Sequence, residues 1–110
     1  MNRRNPYVGD ARTKQAKALG YPARSVFKLE EIDQRLNLFK GVQRVLDLGA
    51  APGSWSLYAA SRIPPHGRVL AVDIKPIVQK FPANVDVIEG DALSLENEVL
   101  GRYSPYDLVL

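Results

Sequence analysis

The run Val45-Leu46-Asp47-Leu48-Gly49-Ala50-Ala51-Pro52-Gly53-Ser54-Trp55 constrains this chain more than any other stretch, because a short aliphatic strand passes through a glycine-containing turn directly into a helix. Such a unit is a common holder of nucleotide-type cofactors. Gly49 and Gly53 have no Cβ, so the main chain can take unusual dihedrals there and a ligand can approach it closely. The helix start that follows is expected to expose main-chain N–H groups without an intrahelical partner.

The same rhythm continues downstream. Arg44–Leu48, Arg68–Ile74, Val85–Glu89 and Tyr106–Leu110 read as strands and Ser54–Arg62 as a helix, with helical or irregular stretches at Ile77–Pro82 and Ser94–Leu100. This alternation predicts an α/β, Rossmann-like fold with a parallel sheet and helices on its faces. The strands are nearly continuous apolar runs, as expected when both faces are covered. Ile63-Pro64-Pro65-His66-Gly67 reads as a turn, with His66 an exposed loop residue.

Upstream, Asn5 before Pro6 is expected to be extended. Asp10 is expected to cap a short helix through Leu19 that Gly20 closes, with Lys14 and Lys17 on one face. A second helix is predicted from Ala23 or Ser25 to about Asn37, its apolar stripe formed by Val26, Leu29, Ile32 and Leu36. Glu31 precedes Arg35 by four residues, a favourable exposed pair, and the spacing makes Lys28 a surface lysine paired with Glu31.

A chain of 110 residues has room for one core, and 45% hydrophobic with 25% charged residues is an ordinary globular composition. The absence of cysteine excludes disulfides, thiolate metal sites and cysteine nucleophiles. No apolar run approaches the roughly 18 residues that span a bilayer, and the N-terminus lacks a secretory hydrophobic segment. A cytoplasmic protein is expected, ahead of the mitochondrial transit peptide that the basic, acid-poor start also fits.

Charge is divided unevenly. Residues 1–28 carry seven basic residues against Asp10 alone, while residues 29–110 carry eight basic and eleven acidic ones. A positive arm of this kind steers polyanions toward the chain, or is simply a solvated tail. The expected organisation is a basic N-terminal arm, residues 1–22, followed by a cofactor-binding unit, residues 23–110.

In an open parallel sheet ligands bind beyond the carboxyl ends of the strands, where Asp47, Asp73 and Asp91 stand. Asp73 lies about 20 residues past Gly53, the spacing at which a carboxylate accepts both hydroxyls of a ribose. Pro52 removes an N–H where a pyrophosphate would need one, and its expected place is the first helical position, where that loss costs little. A cationic or zwitterionic ligand is favoured, and S-adenosylmethionine fits, its ribose at Asp73 and its amino acid end across the turn near Asp47. Trp55 either flanks this pocket or packs beneath the sheet. Asp91 either accepts from the adenine amino group or caps its own loop.

Taken together, Ala23-Arg24-Ser25-Val26-Phe27-Lys28-Leu29-Glu30-Glu31-Ile32-Asp33, the turn from Asp47 to Ser56, Ala71-Val72-Asp73-Ile74 and Gly90-Asp91 resemble the FtsJ/RrmJ family of RNA ribose 2′-O-methyltransferases, from about Gly20 to Leu110. The resemblance implies S-adenosylmethionine as donor and structured RNA as acceptor, ribosomal RNA of the large subunit before transfer RNA, with no membrane or metal involved. It implies Gly53, Trp55, Asp73 and Asp91 as cofactor contacts and Lys28 as the first lysine of a Lys-Asp-Lys-Glu catalytic set, which supersedes the surface-lysine reading. Ser54 stands where many members carry a second glycine, and the other three members of the catalytic set have no counterpart in these 110 residues. The chain is therefore expected to be the N-terminal part of such an enzyme, ending at the fourth strand and inactive alone. The competing readings are a non-catalytic RNA-binding module and a nicotinamide-dependent oxidoreductase, the latter disfavoured by Pro52.

Overall fold

The computed structural model describes residues 6–93, 101 and 104–110. Its elements run α1 (Pro6–Ala18), α2 (Val26–Leu36), β1 (Arg44–Leu48), α3 (Ser54–Arg62), β2 (Arg68–Asp73), β3 (Val85–Glu89) and β4 (Leu108–Val109). The four strands form one sheet in the order β3-β2-β1-β4, and every pairing is parallel. Chain order runs outward from β1 through β2 to β3, then crosses to the other side of β1 for β4, so the sheet reverses direction beside β1. That reversal is where an open α/β sheet leaves a crevice.

The α/β architecture is as expected from the alternation, with local differences. α1 begins at Pro6, so Asp10 lies inside the helix instead of capping it, and Pro6, lacking an N–H, suits the first turn. Asn5 and the stretch from Ser94 to Leu100 fall outside the described residues. Gly20 does close α1. At φ +92 it donates to Lys17 O at 3.0 Å while Tyr21 N–H reaches Ala16 O at 2.9 Å, two bonds that satisfy carbonyls of the last turn.

On α2, Val26 and Leu29 are buried, but the expected stripe does not run to its end: Leu36 is 70% exposed and Asp33 is buried at 3%. Asp33 follows Leu29 by four residues, so it continues the buried face as well as an apolar residue would, provided it has partners. It has them: Tyr58 Oη–H donates to its Oδ2 at 2.7 Å and Arg62 Nε at 2.9 Å. Burial and the Asp33 carboxylate together push the Tyr58 phenol above its ordinary range.

Alternation along the strands builds two apolar layers. Val45 and Val69 pack with Val26, Leu29, Tyr58 and Ala59 on the face covered by α2 and α3, while Leu46, Leu70 and Val72 pack on the other. β1 and β2 are buried along their centres, but β3 is only half-covered, with Val87 42% exposed, because it lies at the rim of the sheet. β2 stops at Asp73, one residue earlier than expected, and β4 forms only Leu108–Val109 of the five residues anticipated. Residues 76–82 are irregular, the turn before Gly67 is present, and His66 is exposed. Ala16 of α1 is completely buried in the larger core cluster, and the Arg12 guanidinium lies 4.9 Å from the centroid of the Phe27 ring, so α1 packs on the fold through its second half.

Candidate functional site

The glycine turn leaves β1 at its carboxyl end and is fastened to β2. Gly49 and Ala50 both donate to Val72 O, at 2.8 and 3.0 Å, and Ala51 N–H donates to Asp73 Oδ2 at 2.9 Å. Gly49 takes φ +69 and Gly53 φ +114, conformations that tax any residue with a Cβ. The amides of Gly49, Ala50 and Ala51 are thus used in holding the turn together, and the expected free amides belong to the start of α3 that follows. Pro52 offers none. Those three main-chain donors are not available to a pyrophosphate, which adds to the loss at Pro52. Pro52 itself lies before the helix and not at its first position, since Gly53 is the cap and α3 starts at Ser54. The Ala51–Pro52 peptide is cis.

Two clefts meet at this turn. The first, about 250 Å³, is lined by Ser25, Asp47, Leu48, Gly49 to Pro52, Ser54, Trp55 and Leu110. The second, about 470 Å³, is lined by Gly49, Ala51, Val72 to Lys75 and Gly90 to Ala92. Gly49 and Ala51 belong to both, so a long ligand can lie over the turn with one end in each. A larger apolar hollow of about 770 Å³, between Leu19, Tyr21 and the second half of α3, lies elsewhere on the molecule.

Asp47 and Asp73 have the same orientation, because residues 47 and 71 are partners in the ladder and 73 is two residues further along β2. Asp47 is 3% exposed and accepts from Ser56 Oγ–H at 2.7 Å. Burial pushes its carboxyl up to about 6, against the pull of the Ser56 hydroxyl and with a smaller push from the Asp73 charge. Asp73 is held below the usual carboxylate range by main-chain donors, Lys75 N–H to Oδ1 at 2.8 Å first and Ala51 N–H to Oδ2 at 2.9 Å next. An ionised carboxylate offers about four lone-pair sites, so Asp73 keeps acceptor capacity beyond its main-chain donors.

The structure brings Asp73 and Asp91 to one cleft and Trp55 to the other. Asp91 Oδ1 accepts from Leu93 N–H at 2.9 Å, so it caps its loop while lining the cleft. The Trp55 ring is half-buried and its indole N–H donates to Ser25 O at 2.9 Å, which turns the ring into a wall of the first cleft. Gly53 lines neither cleft. A Cβ there would sit 2.6 Å from Phe81 Cζ, so the space its missing side chain leaves is filled by an aromatic ring from the segment after β2. Lys28 also lines neither cleft. Its side chain is 68% exposed with Nζ 3.9 Å from Glu31 Oε2, the surface pair that its spacing predicts.

Sequence reasoning missed the task of Ser54 and the burial of Asp33. Ser54 is 1% exposed, accepts from Ala23 N–H at 2.9 Å and donates to Ala23 O at 3.2 Å, so its hydroxyl faces the chain before α2. No residue spacing announces such a bond. Asp33 did carry a signal, since it lies on the helical face of Leu29.

Comparison with known proteins agrees with this geometry. Residues 21–110 match the FtsJ-like methyltransferase family. A Sorangium cellulosum protein named ribosomal RNA large subunit methyltransferase E is 63% identical over 108 residues, covering 97% of this chain and 51% of that protein. Proteins of the same name from Oleidesulfovibrio alaskensis and Bdellovibrio bacteriovorus are 50% and 46% identical, covering 87% and 88% of this chain and 48% and 51% of theirs. The chain thus spans about half the length of the curated relatives it matches. Among solved structures, a ribosomal RNA methyltransferase from Plasmodium falciparum superposes with a TM-score of 0.64 at 23% identity, covering 81% of this chain and 54% of that one, which supports the fold.

Proposed function

Because the chain belongs to the FtsJ-like methyltransferase family, we propose that it carries the donor-binding half of an S-adenosylmethionine-dependent enzyme that methylates a ribose 2′-hydroxyl in large-subunit ribosomal RNA. The observation that carries this reading is the pair of clefts joined over the glycine turn, with a ready carboxylate acceptor in one and a buried carboxylate in the other.

The residues present fit the donor. Asp73, with acceptor capacity left on its carboxylate, suits the hydroxyls of a ribose, and Asp91 in the same cleft suits the amino group of an adenine. Asp47 is a buried acid with no cationic partner among its interactions, a situation that a ligand's ammonium or sulfonium would relieve. Trp55 gives that end a flat apolar wall. Gly53 serves by letting Phe81 close against the head of α3. Bound S-adenosylmethionine supplies an activated methyl group. What this chain's residues contribute is orientation, a tight turn under the donor and a lysine, Lys28, exposed on α2 to meet the charge of the acceptor. Relatives named for ribosomal RNA, and the basic residues of the first 28 positions, favour an RNA acceptor and a cytoplasmic site of action. No helix among the described residues is long and apolar enough to cross a membrane.

Isothermal calorimetry of the chain against S-adenosylmethionine, S-adenosylhomocysteine and NAD tests the reading. The two S-adenosyl ligands are expected to bind and NAD is not. Binding of NAD alone would overturn it.

A further inference from the structure

The two serines and the tryptophan beside the first cleft form a fastening that the donor site does not itself require. Ser54, at the head of α3, holds both main-chain polar groups of Ala23: its hydroxyl accepts from Ala23 N–H at 2.9 Å and donates to Ala23 O at 3.2 Å. One residue on, Trp55 Nε1–H donates to Ser25 O at 2.9 Å. That same Ser25 oxygen accepts the Lys28 main-chain N–H at 3.1 Å, and Arg24 O accepts from Phe27 N–H at 3.1 Å. The segment entering α2, from Ala23 through Arg24 to Lys28 on its first turn, is therefore tied across about thirty positions of sequence to the wall of the donor cleft. Ser25 has no side-chain capping bond of its own, so this end of α2 depends on the ties from α3.

We propose that Ser54 is a positioning residue that, together with the Trp55 indole, sets the Ala23–Lys28 turn against the cofactor turn, so that filling the donor cleft orders the basic residues Arg24 and Lys28 that meet the RNA. The proposal rests on the donor-site reading above. Ser25, Ser54 and Trp55 all line the first cleft, so a ligand that presses on this wall also presses on the tie. Ser54 is 1% exposed and Ala23 only half-buried, so loss of the hydroxyl frees both polar groups of Ala23 to turn to water and releases the segment from α3. A glycine in its place would keep the turn and lose the tie.

Two measurements on the 110-residue chain decide it. In amide hydrogen exchange without ligand, Ser54→Ala is expected to speed exchange of the hydrogen-bonded amides of Ala23, Phe27 and Lys28 by about tenfold while Arg44–Leu48 is unchanged. Unchanged exchange at those three amides would overturn the tie itself, whatever binds in the cleft. In anisotropy titrations with a fluorescein-labelled RNA hairpin, saturating S-adenosylhomocysteine is expected to tighten RNA binding by about fivefold in the native chain and not at all in Ser54→Ala. Ser54→Thr, which keeps the hydroxyl, is expected to retain the effect. If Ser54→Ala does not fold, Trp55→Phe removes the indole donor alone and is expected to weaken the same effect. Equal ligand effects in the native chain and the variants would overturn the proposal, as would no effect in a native chain that binds S-adenosylhomocysteine. Failure of that ligand to bind at all would instead count against the donor-site reading.

Discussion

Asp47 and Asp73 stand near the carboxyl ends of neighbouring strands with the same orientation, but the fold shifts their carboxyls in opposite directions. Asp47 is buried with a single hydroxyl donor and its carboxyl is pushed up to about 6, while Asp73 receives two main-chain amides and is held below the usual range. Two identical side chains are thereby given different tasks by what surrounds them. Asp73 stays ionised and open to hydroxyl donors, while the ionised form of Asp47 carries a burial cost that a cation would relieve.

Replacement of Asp47 by Asn is expected to stabilise the unliganded chain and weaken donor binding. Between about pH 4 and 6 the folded chain holds a proton on Asp47 that the unfolded chain has released, so this group's contribution to stability falls as pH rises through that window. The difference amounts to at most about 3 kcal/mol above pH 6. Urea unfolding should show Asp47→Asn gaining at pH 7.5 and showing little gain at pH 4. The same variant should lose more affinity for S-adenosylmethionine than for S-adenosylhomocysteine, because only the first carries a sulfonium charge.

The Asp33 cluster is expected to matter for stability and not for the donor. Tyr58→Phe removes one of the two donors to a carboxylate that is 3% exposed and whose Oδ1 has no hydrogen-bond partner among the described residues. A loss of about 1–3 kcal/mol in urea unfolding follows from leaving a buried charge under-satisfied. S-adenosylhomocysteine affinity in calorimetry should remain within about twofold, since none of Asp33, Tyr58 and Arg62 lines either cleft.

Gly53 is expected to tolerate no side chain, for two separable reasons. Gly53→Ala meets both the strain of φ +114 and a collision of its Cβ with Phe81 Cζ at 2.6 Å. Its cost in unfolding free energy should be about 1–3 kcal/mol or more in the native background. In a Phe81→Leu background the cost should shrink but not vanish, because the ring is gone and the backbone strain remains. A double-mutant cycle by urea unfolding measures the difference.

Much of this arrangement was legible in the residues themselves. The alternation from Arg44 to Glu89 places three strands and α3 within a residue of their observed bounds, because buried parallel strands leave an unbroken aliphatic record. Asp73 was legible through its distance from Gly53, a spacing set by the length of one helix and one strand. What was not legible depends on atoms that meet from far apart in sequence. Ser54 bonds Ala23 across 31 positions, Phe81 covers Gly53, and Asp33 displaces Leu36 from the buried face only because Tyr58 and Arg62 arrive from α3. The start of α1 was misplaced at Asp10 because a good capping residue also tolerates a helix interior when the chain before it is already helical.

If Asp73 anchors the donor, titration of S-adenosylmethionine into Asp73→Ala at pH 7.5 will reveal it. Loss of a doubly accepting ionised carboxylate should weaken binding by about 30-fold or more relative to the native chain, with circular dichroism showing the sheet retained. Binding of S-adenosylmethionine to Asp73→Ala with native affinity would contradict the account.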